Sequence, residues 1–304
     1  MNIIFIVGPT GVGKSAVALE LSKRVNGEIV SCDAMQVYDQ VKIASNCPTP
    51  EEEKLIPHHL VGCVPIQEEF DVSRFYKMAL SSIEIIIQKG KIPLVCGGSG
   101  MYMQVLLDGI FDSTAKDEVL RQQLFKQAQE KGPEYLHKML MAKDPASAAK
   151  IHANDQKRLV RALEVFHKEQ RPISELNKQR QGLWGKYNIW IYGLRMERDL
   201  LYGRINTRVD QMISQGLVEE IKALDKVVLS KTAEKIIGIS EIRSYLSGEK
   251  TLEQAVELIK QNTRRYAKRQ MTWFRKESRI EWIDLSPDFK PSDIADKIFS
   301  LCIL

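Results

Sequence analysis

Two textures of apolar spacing alternate over the first hundred residues. "IIFIV" is a short continuous apolar run, followed by a glycine-rich turn and then by "SAVALELSKRV", whose apolar positions return at helical spacing. "GEIVSCD" reads as the next strand, ending at Asp33. "SRFYKMALSSIEIIIQKG" predicts a helix closed by Gly90, and "KIPLVCGG" a further strand. Strand–helix alternation of this kind argues for a parallel α/β sheet that binds ligands at the carboxyl ends of its strands.

From about Thr114 to Gly185 the strand texture stops. "KDEVLRQQLFKQAQEKGPEYLHKMLMAKD", "PASAAKI" and "DQKRLVRALEVFHKEQ" are helical, with breaks at Gly132-Pro133, Asp144-Pro145 and Arg171-Pro172. "YNIWIYGLRM" then predicts a strand that rejoins the sheet. The expected organisation is a core of residues 1–113 and 186–304 with a helical insertion at 114–185. "ERDLLYGRINTRVDQMISQGLVEEIKAL" and "TLEQAVELIKQNTRRYAKRQMTWFRK" are helical, the second opening on a capping-box pair, Thr251 and Gln254. Ala255, Leu258, Ile259, Tyr266 and Trp273 suit one face of it, and Lys260, Arg264 and Lys268 another. "IEWIDL" reads as a final strand.

At 304 residues with 44% apolar and 27% charged side chains, the chain supports a sizeable core. Its apolar runs are far too short to span a bilayer, and the N-terminus lacks a basic, apolar and cleavable leader pattern, so a cytoplasmic protein is expected. The cysteines (Cys32, Cys47, Cys63, Cys96, Cys302) have no C-x-x-C spacing and read as reduced thiols. His58 and His59 are adjacent but lack partners at metal-ligand spacing. The net charge of +5 decides little, whereas Lys260 to Arg279 holds eight Lys or Arg against the single acid Glu277. That excess is a footprint for a polyanion or a solvated helix face.

Gly8, Pro9, Thr10, Gly11, Val12, Gly13, Lys14 and Ser15 satisfy G-x-x-x-x-G-K-S/T between a strand and a helix. The glycines let backbone N–H groups surround phosphate oxygens, and the helix N-terminus adds positive potential. Lys14 neutralises the terminal phosphates and Ser15 holds Mg²⁺. The loop recognises a diphosphate-type group without naming it. A motor ATPase or GTPase would also show an apolar strand ending in a metal-binding Asp. Here that strand ends "LVCGGSG", with Ser99 nearby, and the strand that ends in an acid is the one reaching Asp33. Asp33 reads equally as a proton acceptor or Mg²⁺ ligand and as a turn or helix-cap residue. Two functions fit at this point: a small-molecule kinase with ATP in the loop, and a nucleic-acid enzyme using the loop for another diphosphate.

The strings "SCDAMQVY", "IPHHLVGCV", "GGSGMY", "IHANDQKRLVRALEVF", "RINTRVDQMISQGL" and "AKRQMTWFRK", in this order, resemble the tRNA dimethylallyltransferase (tRNA isopentenyltransferase) family from about Ile3 to Trp282. The resemblance implies a P-loop NTPase-like parallel α/β core with a helical insertion domain that contacts tRNA. It implies transfer of a dimethylallyl group from dimethylallyl diphosphate to N6 of adenine 37 in the anticodon stem-loop. Mg²⁺ would assist, and the loop would hold the isoprenoid diphosphate. A monomer is expected.

Carried over residue by residue, the resemblance makes Asp33 the catalytic aspartate and Arg208 a contact of the diphosphate. By itself Arg208 reads as a surface helix arginine. Ser99 stands at the family's threonine position and keeps the hydroxyl, and Gln36 matches a residue near the target base. Asp33, Ala34, Met35 and Gln36 would line the RNA side, and Lys157, Arg158, Leu159, Val160 and Arg161 match the insertion segment that contacts tRNA. Arg265, Lys268 and Arg269 are further candidates for RNA contact. The chain departs from the family pattern at Ala34 (usually serine), Cys47 (a common lysine), and Ile239 and Ser240 (usually tyrosine and a basic residue).

Overall fold

The structure is a computed structural model and describes residues 1–111, 117–132 and 134–302. Along the chain lie β1 (Asn2–Val7), α1 (Lys14–Val25), β2 (Gly27–Ser31), α2 (Pro50–Leu55), β3 (His58–His59), α3 (Val72–Gln88), β4 (Ile92–Gly97) and α4 (Gly100–Asp108). Next come α5 (Glu118–Lys131), α6 (Tyr135–Lys143), α7 (Pro145–Ala148), α8 (Gln156–Glu169) and α9 (Ile173–Lys178). The chain then forms β5 (Asn188–Met196), α10 (Arg198–Ser214), α11 (Leu217–Lys222), α12 (Ile239–Leu246), α13 (Leu252–Phe274), β6 (Glu281–Leu285) and α14 (Pro291–Leu301). Two compact units result: residues Met1–Leu107 with Leu183–Leu304, and residues Asp108–Gly182. The edge expected between 113 and 114, and Pro133 of the Gly132-Pro133 break, lie outside the described residues. No described helix is long and apolar enough to cross a membrane.

In the first unit the strands form one parallel sheet in the order β3-β2-β4-β1-β5-β6. Phe5 of β1 faces Val95 on one side and Ile191 on the other. Ile3 to Val7 are wholly buried, because a central parallel strand is covered on both faces; that is why the run is solidly apolar and not alternating. The chain leaves β1 toward β2 and leaves β4 toward β5. The crevice between these opposed connections, at the carboxyl ends of β1 and β4, is where such sheets take ligands. Helix α1 closes one face through Val17, Ala18 and Leu21, and α14 lies on it through Ala295 and Ile298 with Arg24 bonded to the Asp296 carboxylate.

Three features differ from the sequence expectations. β2 ends at Ser31, leaving Cys32 and Asp33 in the turn beyond it. The long helix expected after β5 is two helices, since Gly216 takes a left-handed φ of 100° between α10 and α11. α2, β3, α4 and α14 are additions. The capping box at Thr251 and Gln254 forms as expected.

The second unit packs Leu124, Leu136, Leu140, Leu159 and Leu163 into its own core. Its buried Glu164 accepts from Arg121 (2.9 and 2.8 Å), Arg161 (2.7 Å) and the Asp117 backbone N–H (2.8 Å), which ties α5 to α8.

Glu28 is the corresponding buried acid of the sheet, 1% exposed at the start of β2. It accepts from His59 Nε2 (2.8 Å), Lys91 Nζ (2.9 Å) and Lys89 Nζ (3.1 Å), joining β2, β3 and the approach to β4. Burial alone pushes its carboxyl up, but the hydrogen bonds from Lys91, His59 and Lys89 outweigh it and hold the group down to about 2. A depressed carboxylate contributes stability that is complete above its ordinary range and is lost as pH falls through its folded value. Glu28→Gln is therefore expected to cost about 2 kcal/mol near neutral pH. The cost is below that of a fully buried pair because Lys89 and Lys91 stay 47% and 31% exposed. Urea unfolding of both proteins across a pH series should show the difference narrowing between about pH 4.5 and pH 2.

Candidate active site

The loop from β1 to α1 is shaped by close approach. At Gly8, with φ 145°, an added Cβ would sit 2.4 Å from the Leu194 carbonyl oxygen of β5. Gly13, with φ 104°, caps α1 without any side-chain hydrogen bond, and the first turn of α1 carries no acid. The N–H groups of that turn are thus left for an external acceptor, at the positive end of the helix dipole. Lys14 curls back so that Nζ donates to the Pro9 carbonyl (2.8 Å). Pro9 and Val12 are buried and build the loop's underside.

Opposite the loop stands the turn after β2. The Asp33 carboxylate accepts from the Met35 N–H (2.9 Å), and Ala34, Met35 and Gln36 are half-buried beside it. Gln36 is held at both ends: Ser31 Oγ donates to its Oε1 (2.7 Å) and its Nε2 donates to the Asn46 carbonyl (2.8 Å). The segment around Asn46 is tied down by Glu220 of α11, whose carboxylate accepts from Ile43 N–H (2.8 Å) and Ala44 N–H (2.9 Å). From the third side α10 contributes Arg204 and, one turn later, Arg208.

These walls enclose a cavity of about 310 Å³ lined by Thr10, Gly11, Gly13, Lys14, Ser15, Asp33, Gln36, Cys47, Arg204, Arg208 and Gln270, among others. Burial lowers the Lys14 ammonium to about 8; Cys96 and Asp33 oppose the fall and Arg208 adds to it. Burial likewise lowers the Arg208 guanidinium, against the pull of Asp33. Arg208 Nε is buried without a hydrogen-bond partner. A buried donor left this way is costly unless an acceptor reaches it. Two desolvated cations, one orphaned N–H and a bare helix N-terminus, set against Asp33 and against a Glu52 engaged in capping α2, describe a polyanion site with a proton acceptor beside it. Among the described residues no three acids, histidines or cysteines cluster to hold a metal ion. Ser15, exposed at the cavity, is the side chain positioned to add an oxygen ligand to a Mg²⁺ carried on the anion's own oxygens, the usual arrangement for Mg²⁺ on phosphates.

The structure thus brings Lys14, Ser15, Asp33, Gln36 and Arg208 together and leaves other expected residues apart. Ser99 does not line this cavity; it begins α4, where its N–H donates to the Cys32 carbonyl (3.2 Å). Leu159 and Val160 are buried in the core of the second unit, so their side chains are not available to an RNA. α8 is amphipathic, and within the matched segment Lys157 and Arg158 are the exposed residues. Arg161 is bonded to Glu164. On α13, Lys260 pairs with Asp210 (2.6 Å) and Arg264 with Glu257 (2.8 Å) and Asn206 (2.6 Å); Arg265, Lys268 and Arg269 are exposed. His59 serves Glu28.

Sequence reasoning missed Arg204, Glu220 and Gln270. Arg204 Nε donates to the Gly11 carbonyl (3.1 Å) and its guanidinium stacks on Phe289 (5.3 Å). The four-residue step from Arg204 to Arg208 was a signal that places both on one helix face. Gln270 stands on the buried stripe of α13, where helical periodicity calls for an apolar residue.

Comparison with known proteins gives a consistent picture. Residues 36–277 match the family model described as IPP transferase, and residues 1–66 match that of isopentenyl transferase. A tRNA dimethylallyltransferase of Acetivibrio thermocellus is 45% identical over 286 residues, covering 93% of this chain and 91% of the relative. The full-length tRNA isopentenylpyrophosphate transferase of Bacillus halodurans superposes with a TM-score of 0.70 at 38% identity, covering 98% and 96% of the two chains. A eukaryotic dimethylallyltransferase solved acting on tRNA superposes with a TM-score of 0.77 at 30% identity, covering 93% of this chain and 73% of its own.

The cavity's charge generates a pH test. Lys14 is charged below about 8 and loses its proton above it. Wild type is expected to bind inorganic pyrophosphate more tightly than Lys14→Met at pH 7, and calorimetric titration should show that advantage shrinking as pH rises past 8. An advantage that stays constant to pH 9.5 contradicts the assignment.

Proposed function

The chain belongs to the IPP transferase family, and we propose that it is a tRNA dimethylallyltransferase, moving a dimethylallyl group from dimethylallyl diphosphate to N6 of adenine 37 beside the anticodon. The observation that carries the site assignment is the convergence of Lys14, the unpartnered Arg208 Nε and Asp33 on one cavity. In this reading the glycine loop grips a leaving group. The bond from the allylic carbon to the diphosphate oxygen breaks, and its electron pair leaves with pyrophosphate. The N6 lone pair forms the new carbon–nitrogen bond.

Negative charge grows on the departing oxygens as the carbon gains cation character. Lys14, Arg208, the N–H groups of the first turn of α1 and Arg204 are placed to stabilise that growth, the type of effect on which such barriers depend most. Mg²⁺ on the diphosphate, with Ser15 as the chain's ligand, would supply further charge neutralisation. Asp33, fixed by the Met35 N–H, orients the N6 amine and accepts its proton as the nitrogen becomes positive. The adenine must leave its stack to reach a carboxylate inside a cavity, so a flipped base is part of the proposal. Lys157 and Arg158 of the second unit, and Arg265, Lys268 and Arg269 of α13, are assigned to RNA phosphates, which position the substrate without selecting it.

Labelled dimethylallyl diphosphate, incubated with Mg²⁺ and an anticodon stem-loop carrying adenines 36 and 37, should label the RNA. Transfer of γ-phosphate from ATP without prenyl transfer would instead select a kinase. Asp33→Asn should lower the transfer rate by about 100-fold or more while RNA affinity stays within about twofold. Parallel loss of RNA binding would make Asp33 a folding residue.

A further inference from the structure

We propose that Gln270 is a positioning residue, setting the distance between the diphosphate cradle and the Asp33 turn. The proposal rests on the transferase reading and concerns a residue outside its catalytic set. Gln270 is 6% exposed, on the buried stripe of α13. Its Oε1 accepts from the Thr10 N–H of the phosphate loop (2.8 Å), and its Nε2 donates to the Gly98 carbonyl (2.9 Å). A backbone N–H only donates and a backbone carbonyl only accepts, so the amide has one workable orientation and both its ends are used.

From Gly98 the contacts continue to the general base. Ser99 N–H donates to the Cys32 carbonyl (3.2 Å) and Cys32 N–H to the Cys96 carbonyl (2.8 Å), and Asp33 follows Cys32 directly. The packing there is tight. A Cβ on Gly98 would lie 2.2 Å from Gln270 Nε2, and one on Gly97 would lie 2.1 Å from the Cys32 carbonyl oxygen. The path from the leaving-group loop to the proton acceptor is therefore Thr10, Gln270, Gly98, Ser99, Cys32, Asp33. Gln270 supplies the side-chain link between the loop and Gly98; beyond it the links are main chain, with the Cys32 thiol also donating to the Ser99 carbonyl (3.7 Å). Tyr266, one turn earlier on α13, bonds to Gln270, and burial, followed by the Asp33 charge, pushes its phenol up. A prenyl transfer needs its nucleophile and leaving group in line across a fixed gap, and a misplacement near 1 Å costs about 100-fold in rate.

The required chemistry is one acceptor and one donor. Leucine offers neither, and glutamate offers the donor only when protonated. Wild type, Gln270→Leu and Gln270→Glu are compared for kcat and KM in the labelled transfer assay, for RNA and pyrophosphate affinity, and for Tm. Gln270→Leu should lose about tenfold or more in kcat and bind pyrophosphate more weakly, with RNA affinity within about twofold of wild type. The activity of Gln270→Glu relative to wild type should rise as pH falls from about 8 to 5, as its carboxyl gains the proton that Gly98 requires. A flat ratio across that range, or a Gln270→Leu enzyme with wild-type kcat and pyrophosphate affinity, overturns the proposal. If the leucine variant does not fold, the pH ratio of the glutamate variant decides. If wild type transfers no prenyl group, the transferase reading fails separately, and the pyrophosphate affinities still test whether Gln270 holds the cradle.

Discussion

The structure depends on leaving backbone N–H groups at the start of α1 without a side-chain acceptor, at the edge of a cavity. Between the end of β1 and the first turn of α1 the chain turns its donors inward, and α1 begins at Gly13 with no side-chain cap. Most helices fill that position with serine, threonine, aspartate or asparagine. Here a cap or an acid in the first turn would occupy the anion site, so the helix gives up that stabilisation. The loop is held in this geometry by β5, which crowds Gly8, by Arg204 of α10 on the Gly11 carbonyl, and by Gln270 of α13 on the Thr10 N–H. The parallel sheet serves to bring those neighbours to one edge.

Gathering cations at such an edge has a cost that shapes the rest of the site. Lys14 and Arg208 are both desolvated, which lowers each one's affinity for a proton; Arg208 lowers that of Lys14 further, while Asp33 raises both. Asp33 alone cannot balance two cations and a helix N-terminus, and Glu52, the other acid on the lining, caps α2. The remaining imbalance favours a multiply charged anion, and it is relieved when that anion's charge is greatest, as a diphosphate leaves. Asp33 stands apart from those cations on the β2 turn, where the Met35 N–H fixes its carboxylate against the same cavity.

The fold and the cradle were legible in the sequence for a physical reason. Burial on both faces of a central strand leaves a solid apolar run, and a phosphate loop needs glycine where no side chain fits. Asp33 was legible as an acid at a strand's carboxyl end, although the strand stops two residues earlier. What could not be read was pairing between segments far apart in the chain. Arg208 is indistinguishable from a surface arginine until α10 is laid across the loop. Lys260 and Arg264 look like members of a basic face until Asp210 and Glu257 are found beside them. Glu28 looks like an ordinary polar strand residue until two lysines and a histidine converge on it. Gln270 violates the apolar period of its helix, and that violation was the available sign of a function.

The departures from the family pattern act at two places with different consequences. Cys47 lines the cavity, where Ser45 Oγ lies 3.1 Å from its Sγ and the Gln36 carbonyl 3.6 Å from it. Burial pushes its thiol up to about 11, so it is neutral where a lysine would be charged. The cavity wall therefore loses a cation on the side of Gln36, away from the diphosphate cations, and electrostatic attraction concentrates on the Lys14 and Arg208 end. Ile239 is buried at the start of α12, and its neighbour Ser240 is exposed and donates to Glu241 (3.0 Å). Glu241 also accepts from Gly238 N–H (2.9 Å) and Asn262 Nδ2 (2.6 Å), which fixes the start of α12 against α13. At this second place an aromatic and a basic side chain are exchanged for packing and a neutral hydroxyl, and the helix start keeps its anchor. Cys47 stands on the lining of the cavity and Ile239 and Ser240 do not, so the two changes fall on different surfaces, and neither replaces Lys14, Ser15 or Arg208.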